Sequence, residues 1–170
     1  MKEKRWLISS SVSLLNEDIP MTIICGYQGI GKTTYCKTHT DSYDLDSSAF
    51  EKNEEWAKTY VDSAIEVLKS GYDKVFISAH QCVINEILNR ILNEISIVVV
   101  IPKETKETWE ARLRFRYEQC KKQYAYNALQ DFLKHFDEDM QYYNQLKNNK
   151  RISLIEVTAK VQTNLSELLF

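Results

Sequence analysis

At 170 residues with a net charge of −2, the chain is long enough for one self-sufficient core and carries no global basic field of the kind nucleic-acid binders use. Hydrophobic residues make up 44% and charged residues 27%, the balance of a globular domain. No apolar run approaches the roughly 20 residues needed to cross a bilayer. Cys25, Cys36, Cys82 and Cys120 form no CxxC pair and stand at no zinc-like spacing to His39, His80 or His135, so reduced thiols in a cytoplasmic protein are expected.

Residues 1–20 lack the unbroken apolar stretch and small-residue cleavage site of a signal peptide, and they read as an N-terminal arm. A single domain is expected over 21–170. Thr22 to Cys25 is a short β-branched run, a buried strand. Gly31 to Lys37 starts a helix, and Tyr43 to Asp46 is a short second strand. Glu54 to Lys69 is helical, with Trp56, Tyr60, Val61, Ala64, Ile65 and Leu68 at spacings of three and four, and Gly71 ends it. KVFIS (74–78) is a third strand. A helix over Gln81–Leu92 follows, then the strongly apolar strand ISIVVVI (95–101), stopped by Pro102. Two helices are expected next, Glu104 to about Lys122 and Asn127 to Leu146. The second has Leu129, Phe132, Leu133, Phe136, Met140 and Tyr143 on one face, either core or an oligomer contact. RISLIEV (151–157) is the last strand, and 163–170 closes the chain as a helix. Alternation of this kind implies an α/β fold, a five-stranded parallel sheet between helices in three layers.

Three of the four glycines fall within one stretch, Gly26-Tyr-Gln-Gly-Ile-Gly-Lys-Thr33. The pattern is GxxxxGK[ST], placed after a strand and before a helix, which is the context that gives it meaning. Glycines allow positive φ and let backbone N–H groups approach an anion. Gly26, Tyr27, Gln28, Gly29, Ile30, Gly31, Lys32, Thr33 and Thr34 are therefore the candidate triphosphate-binding residues. Lys32 reaches the β- and γ-phosphates of ATP, and the Thr33 hydroxyl ligates Mg²⁺.

On this motif the chain resembles the P-loop NTPases. Within them it is similar to small bacterial or phage-type nucleoside monophosphate kinases, which are adenylate-kinase-like, and to nucleoside kinases. The resemblance implies an acidic residue after the second strand that touches magnesium or the acceptor. Asp44 and Asp46 alternate around Leu45 there, and Asp46, nearer the expected strand end, is favoured. The two serines after Asp46 also suit an N-cap. The chain departs from the common pattern at KVFIS, which ends in Ser78-Ala79-His80 with no aspartate. His80 reads either as a contact to the acceptor or γ-phosphate region or as a helix cap.

From Lys103 to Lys122 seven basic residues face four acidic ones. Arg112 and Arg116 share a helix face, and Arg114 points elsewhere. The resemblance makes 103–126 a short lid, with Arg112 and Arg116 neutralising charge on the moving phosphoryl group. Trp56 and Trp109 are candidates for base stacking, and Tyr124 and Tyr126 read mainly as packing residues.

The reading that follows is an ATP-dependent phosphotransferase using Mg²⁺, with Lys32, Asp46, Arg112 and Arg116 catalytic and Thr33 and Asp46 on the metal. A nucleoside monophosphate is the leading acceptor. A nucleoside or a polynucleotide 5′-hydroxyl is the alternative within enzymes, with Asp46 as base. A nucleotide-binding regulatory module is the alternative outside them. Nucleic acid as a partner is disfavoured by the charge.

Overall fold

The computed structural model describes residues 20–158. Its strands are β1 (Met21–Gly26), β2 (Ser42–Asp44), β3 (Lys74–Ser78), β4 (Ile95–Pro102) and β5 (Ser153–Val157). Its helices are α1 (Lys32–Cys36), α2 (Trp56–Lys69), α3 (Gln81–Leu88), α4 (Lys106–Cys120) and α5 (Gln123–Leu146). All strand pairs are parallel, in the order β2-β3-β1-β4-β5. The β-branched runs predicted as buried strands occupy the middle: Ile23, Ile24, Val75, Phe76, Val99 and Val100 have no exposed surface. Fully burying one such side chain is worth about 1.5–3 kcal/mol, so these three strands anchor the core.

The expected apolar face of α5 goes inward. Leu129, Phe132, Phe136 and Tyr143 are buried, with Leu133 and Met140 packed against them. The stripe is thus core within this chain. α4 is different. Only Trp109 and Leu113 are buried along its length, four residues apart on one face.

Boundaries moved where side chains compete with the regular pattern. β2 stops at Asp44 because the Asp46 carboxylate accepts a hydrogen bond from Ser48 N at 2.9 Å and caps a 3-10 turn over Ser47–Ala49. α5 begins at Gln123, earlier than the expected Asn127, because Lys121 turns left-handed (φ 52) and separates α4 from α5 in a single step. α3 ends at Leu88, short of the expected Leu92. The N-terminal arm, apart from Pro20, and the closing helix expected at 163–170 lie outside the described residues.

The strand order turns at β1, with β3 on one side and β4 on the other. Open α/β sheets bind ligands in the crevice beyond the carboxyl ends of strands at such a switch point. Gly26 is level with Ser78 of β3 and Val100 of β4, so the glycine loop opens at that crevice.

Candidate functional site

The loop takes the shape its glycines permit. Gly29 and Gly31 have φ of 85° and 98°. A Cβ at Gly26 would meet Ile30 Cδ1 at 2.5 Å, so the loop closes on itself only without a side chain there. The side chains of Tyr27 and Ile30 are buried in the core (4% and 3% exposed), which leaves their backbone to line the loop. Thr33 and Thr34 remain exposed at the start of α1.

α4 braces this loop. Trp109 Nε1 donates to Gln28 O at 3.0 Å, and Arg112 Nε donates to Gly29 O at 2.8 Å. In a planar trans peptide, a Gln28 carbonyl drawn to α4 sends the Gly29 N–H the opposite way. Leu113 fills the remaining gap, since a Cβ on Gly29 would meet its Cδ2 at 2.8 Å. Gly29→Ala therefore combines a steric collision with a left-handed φ, and it is expected to cost about 1–3 kcal/mol of stability, as measured by thermal unfolding.

Lys32 bends back so that Nζ donates to Gly26 O at 2.7 Å. Loss of solvent lowers its pKa to about 8, with Asp44 opposing the shift and Arg116 adding to it. Burial and Arg116 likewise lower Arg112. Arg116 thus stands within electrostatic reach of both Lys32 and Arg112, and an anion at the loop would relieve that repulsion.

The two aspartates take different posts. Thr33 Oγ1 donates to Asp44 Oδ2 at 2.6 Å, whereas Asp46 caps its 3-10 turn and stands within electrostatic reach of Lys32 and Lys52. A hydroxyl and a carboxylate side by side are the hard oxygen donors Mg²⁺ takes when phosphates and waters complete its octahedron. The segment is fixed by Tyr60, predicted only as part of an apolar stripe. Its hydroxyl donates to Leu45 O at 2.6 Å and accepts from Ser78 N at 3.0 Å, joining the ends of β2 and β3.

The remaining candidates separate cleanly. Arg114 is an exposed partner of Glu110 at 2.6 Å and takes no part in the loop. Trp109 is fully buried, so it braces the loop and does not stack on a base. Trp56 lies under Lys52, whose Nζ is 3.5 Å from the ring centroid, and edge-on to His80 at 5.5 Å. His80 precedes α3 without capping it by its side chain. Its Nδ1 is 2.6 Å from Ser78 Oγ. Arg116 stands over Tyr124 at 5.2 Å, and Tyr117 packs on Tyr126 at 5.5 Å.

Beside the loop lies a cavity of about 360 Å³, within the range of small-molecule sites. Tyr27 and Gln28, the start of α3, and one face of α5 enclose it. On α5 that face is Asp131, His135, Glu138 and Asp139, at offsets of four, seven and eight residues. This polar stripe stands at the same helical spacing as the apolar one, and nothing local in the sequence says that it faces the loop. Lys52, an isolated lysine in a polar loop, carries no pattern at all.

No family model and no curated protein matches the chain. Among solved structures it is similar to a shikimate kinase from Bacteroides thetaiotaomicron, at 17% identity and a TM-score of 0.44, over 79% of this chain and 84% of that one. Its own parallel five-stranded sheet flanked by helices, with the glycine loop leading from β1 into α1, is an α/β fold with P-loop topology.

Proposed function

We propose that the protein is an ATP-dependent phosphotransferase acting on a small-molecule acceptor. The observation that carries this reading is the contact of Thr33 with Asp44 at 2.6 Å, beside a glycine loop that holds Lys32 among arginines. Asp44 supplies the acid that the end of β3 lacks. Thr33 and Asp44 would hold Mg²⁺, which supplies charge neutralisation on the β- and γ-phosphates when bound. Lys32 swings from Gly26 O to those phosphates. Arg112 and Arg116 extend from α4 on the same side, and we assign them to the donor phosphates. In the transfer, an acceptor oxygen forms a bond to the γ-phosphorus. The bond from that phosphorus to the β,γ-bridging oxygen breaks, and ADP leaves. For a hydroxyl acceptor the proton passes to a carboxylate, and we assign that role to Asp46, which is within electrostatic reach of Lys32 and Lys52.

A nucleotide-like acceptor was expected from the arginines. The test is ADP release from Mg-ATP with nucleoside monophosphates, nucleosides, a 5′-hydroxyl oligonucleotide and polyols offered in turn. Stimulation by one class, lost in Lys32→Ala, supports a phosphotransferase. Tight ATP binding with no stimulation by anything would point to the regulatory module. Asp44→Asn is expected to lower turnover about 10- to 100-fold and to shift the Mg²⁺ requirement to higher concentration, as a magnesium titration of ADP release would show. An unchanged titration curve would remove Asp44 from the metal.

A further inference from the structure

The cavity beside the loop differs in charge from the Lys32 and Arg112 side of the loop. Asp131, Glu138 and Asp139 line it, and no lysine or arginine does. His135 lies between Asp131 and Glu138, with its ring nitrogens 4.0 and 3.5 Å from their carboxylates. Asp139 accepts from the Tyr27 hydroxyl at 3.3 Å, which fixes this carboxylate to the loop itself. At the loop end the Gln28 side chain lies against the same Tyr27 hydroxyl. The cavity therefore runs from the glycine loop at Tyr27 and Gln28 to a carboxylate cluster along α5.

We propose that this cavity is the acceptor site and that it takes a cationic hydroxylated molecule, of the amino-sugar or aminocyclitol class. The acceptor hydroxyl lies at the loop end, beside Tyr27 and Gln28, and an ammonium meets Asp131, Glu138 and Asp139. This rests on the phosphotransferase reading above and names its substrate class. A phosphate ester is poorly served here, because its charges would face carboxylates of like sign. Burial first, and then the like charge of Asp131, hold the Asp139 carboxyl above the usual range, and a bound cation opposes both.

The experiment measures ADP release from Mg-ATP with glucosamine and kanamycin A as cationic probes, glucose as the neutral control, and AMP and CMP as anionic ones. Mg-ATP affinity is measured alongside. Stimulation by a cationic probe above the others is expected. Glu138→Gln and Asp131→Asn replace partly or fully exposed groups and leave the core untouched. Each is expected to raise the KM for that probe about tenfold, the loss of one charge-assisted contact, while Mg-ATP affinity stays unchanged. Stimulation by AMP or CMP instead, no stimulation by either cationic probe in a protein that binds Mg-ATP, or a KM unmoved in both variants would each overturn the proposal. Failure to bind Mg-ATP at all would overturn the phosphotransferase reading with it.

Discussion

Replacing Lys32 by alanine or methionine is expected to reduce phosphoryl transfer by about 10²–10³-fold, the usual loss when one preorganised cation or donor at the transferring group is removed. The same change should leave the nucleotide-free fold at least as stable at neutral pH. Lys32 costs the empty protein stability, because loss of solvent holds its pKa near 8, against about 10.4 in an unfolded chain. Below about pH 8 it is charged in both states, and its desolvation weighs against the fold. From about pH 8 to 10.4 the unfolded chain binds more protons, so this group's contribution shifts in favour of the folded state as pH rises. Nucleotide binding runs the other way. Above about pH 8 the free protein must take up a proton to present an ammonium to the phosphates. Mg-ATP affinity should then fall by up to tenfold per pH unit, and Lys32→Met should flatten that dependence. Calorimetric titration from pH 7 to 9.5, in two buffers of different ionisation enthalpy, reads both the affinity and the proton uptake. A flat profile in the unmodified protein would mean that Lys32 stays on Gly26 O and never meets the phosphates.

Trp109→Ala should be the most destabilising single change at the site, at about 3–5 kcal/mol, because it empties a fully buried indole position. Its consequence for function goes beyond stability. Trp109 and Leu113 are the buried side chains of α4, and the indole N–H holds Gln28 O. Trp109→Phe separates the two effects. It keeps most of the packing and removes one hydrogen bond, worth about 0.5–1.5 kcal/mol, yet frees the peptide that orients the Gly29 N–H. Chemical denaturation should show a modest loss, while the Kd for Mg-ATP rises by more than the stability loss accounts for. Equal and small effects on both quantities would reduce Trp109 to a packing residue and α4 to a passive neighbour of the loop.

The helical lid expected over 103–126 shows why local patterns divide so sharply in what they convey. Arg112 and Arg116 share a face by spacing alone, and the structure keeps them together at the loop, with Arg116 in electrostatic reach of Lys32. What spacing does not carry is the target of that face. Arg112 spends its Nε on a loop carbonyl, and Trp109, a candidate for stacking on a base, is sealed beneath it. The two aspartates make the same point at shorter range. Alternation around Leu45 implied a strand with both carboxylates on one side. Asp46 instead leaves the strand because its carboxylate finds the Ser48 N–H two residues on. That leaves Asp44 level with Thr33, eleven residues earlier in the chain.

Strands, helices and the phosphate loop were legible in the sequence because each depends on neighbours within a few residues. β-branched runs bury themselves, helices repeat every three or four residues, and glycines open φ values other residues avoid. The cavity was decided only by the tertiary structure. Its carboxylates sit on α5, about a hundred residues from Gln28, and they meet the loop only because β1, α3 and α5 converge at the point where the strand order turns. No periodicity records which polar face of a helix will be turned toward a loop that far away. That choice follows from burying Phe132, Phe136 and Tyr143 against Tyr27, which rotates the acidic face of α5 toward the crevice.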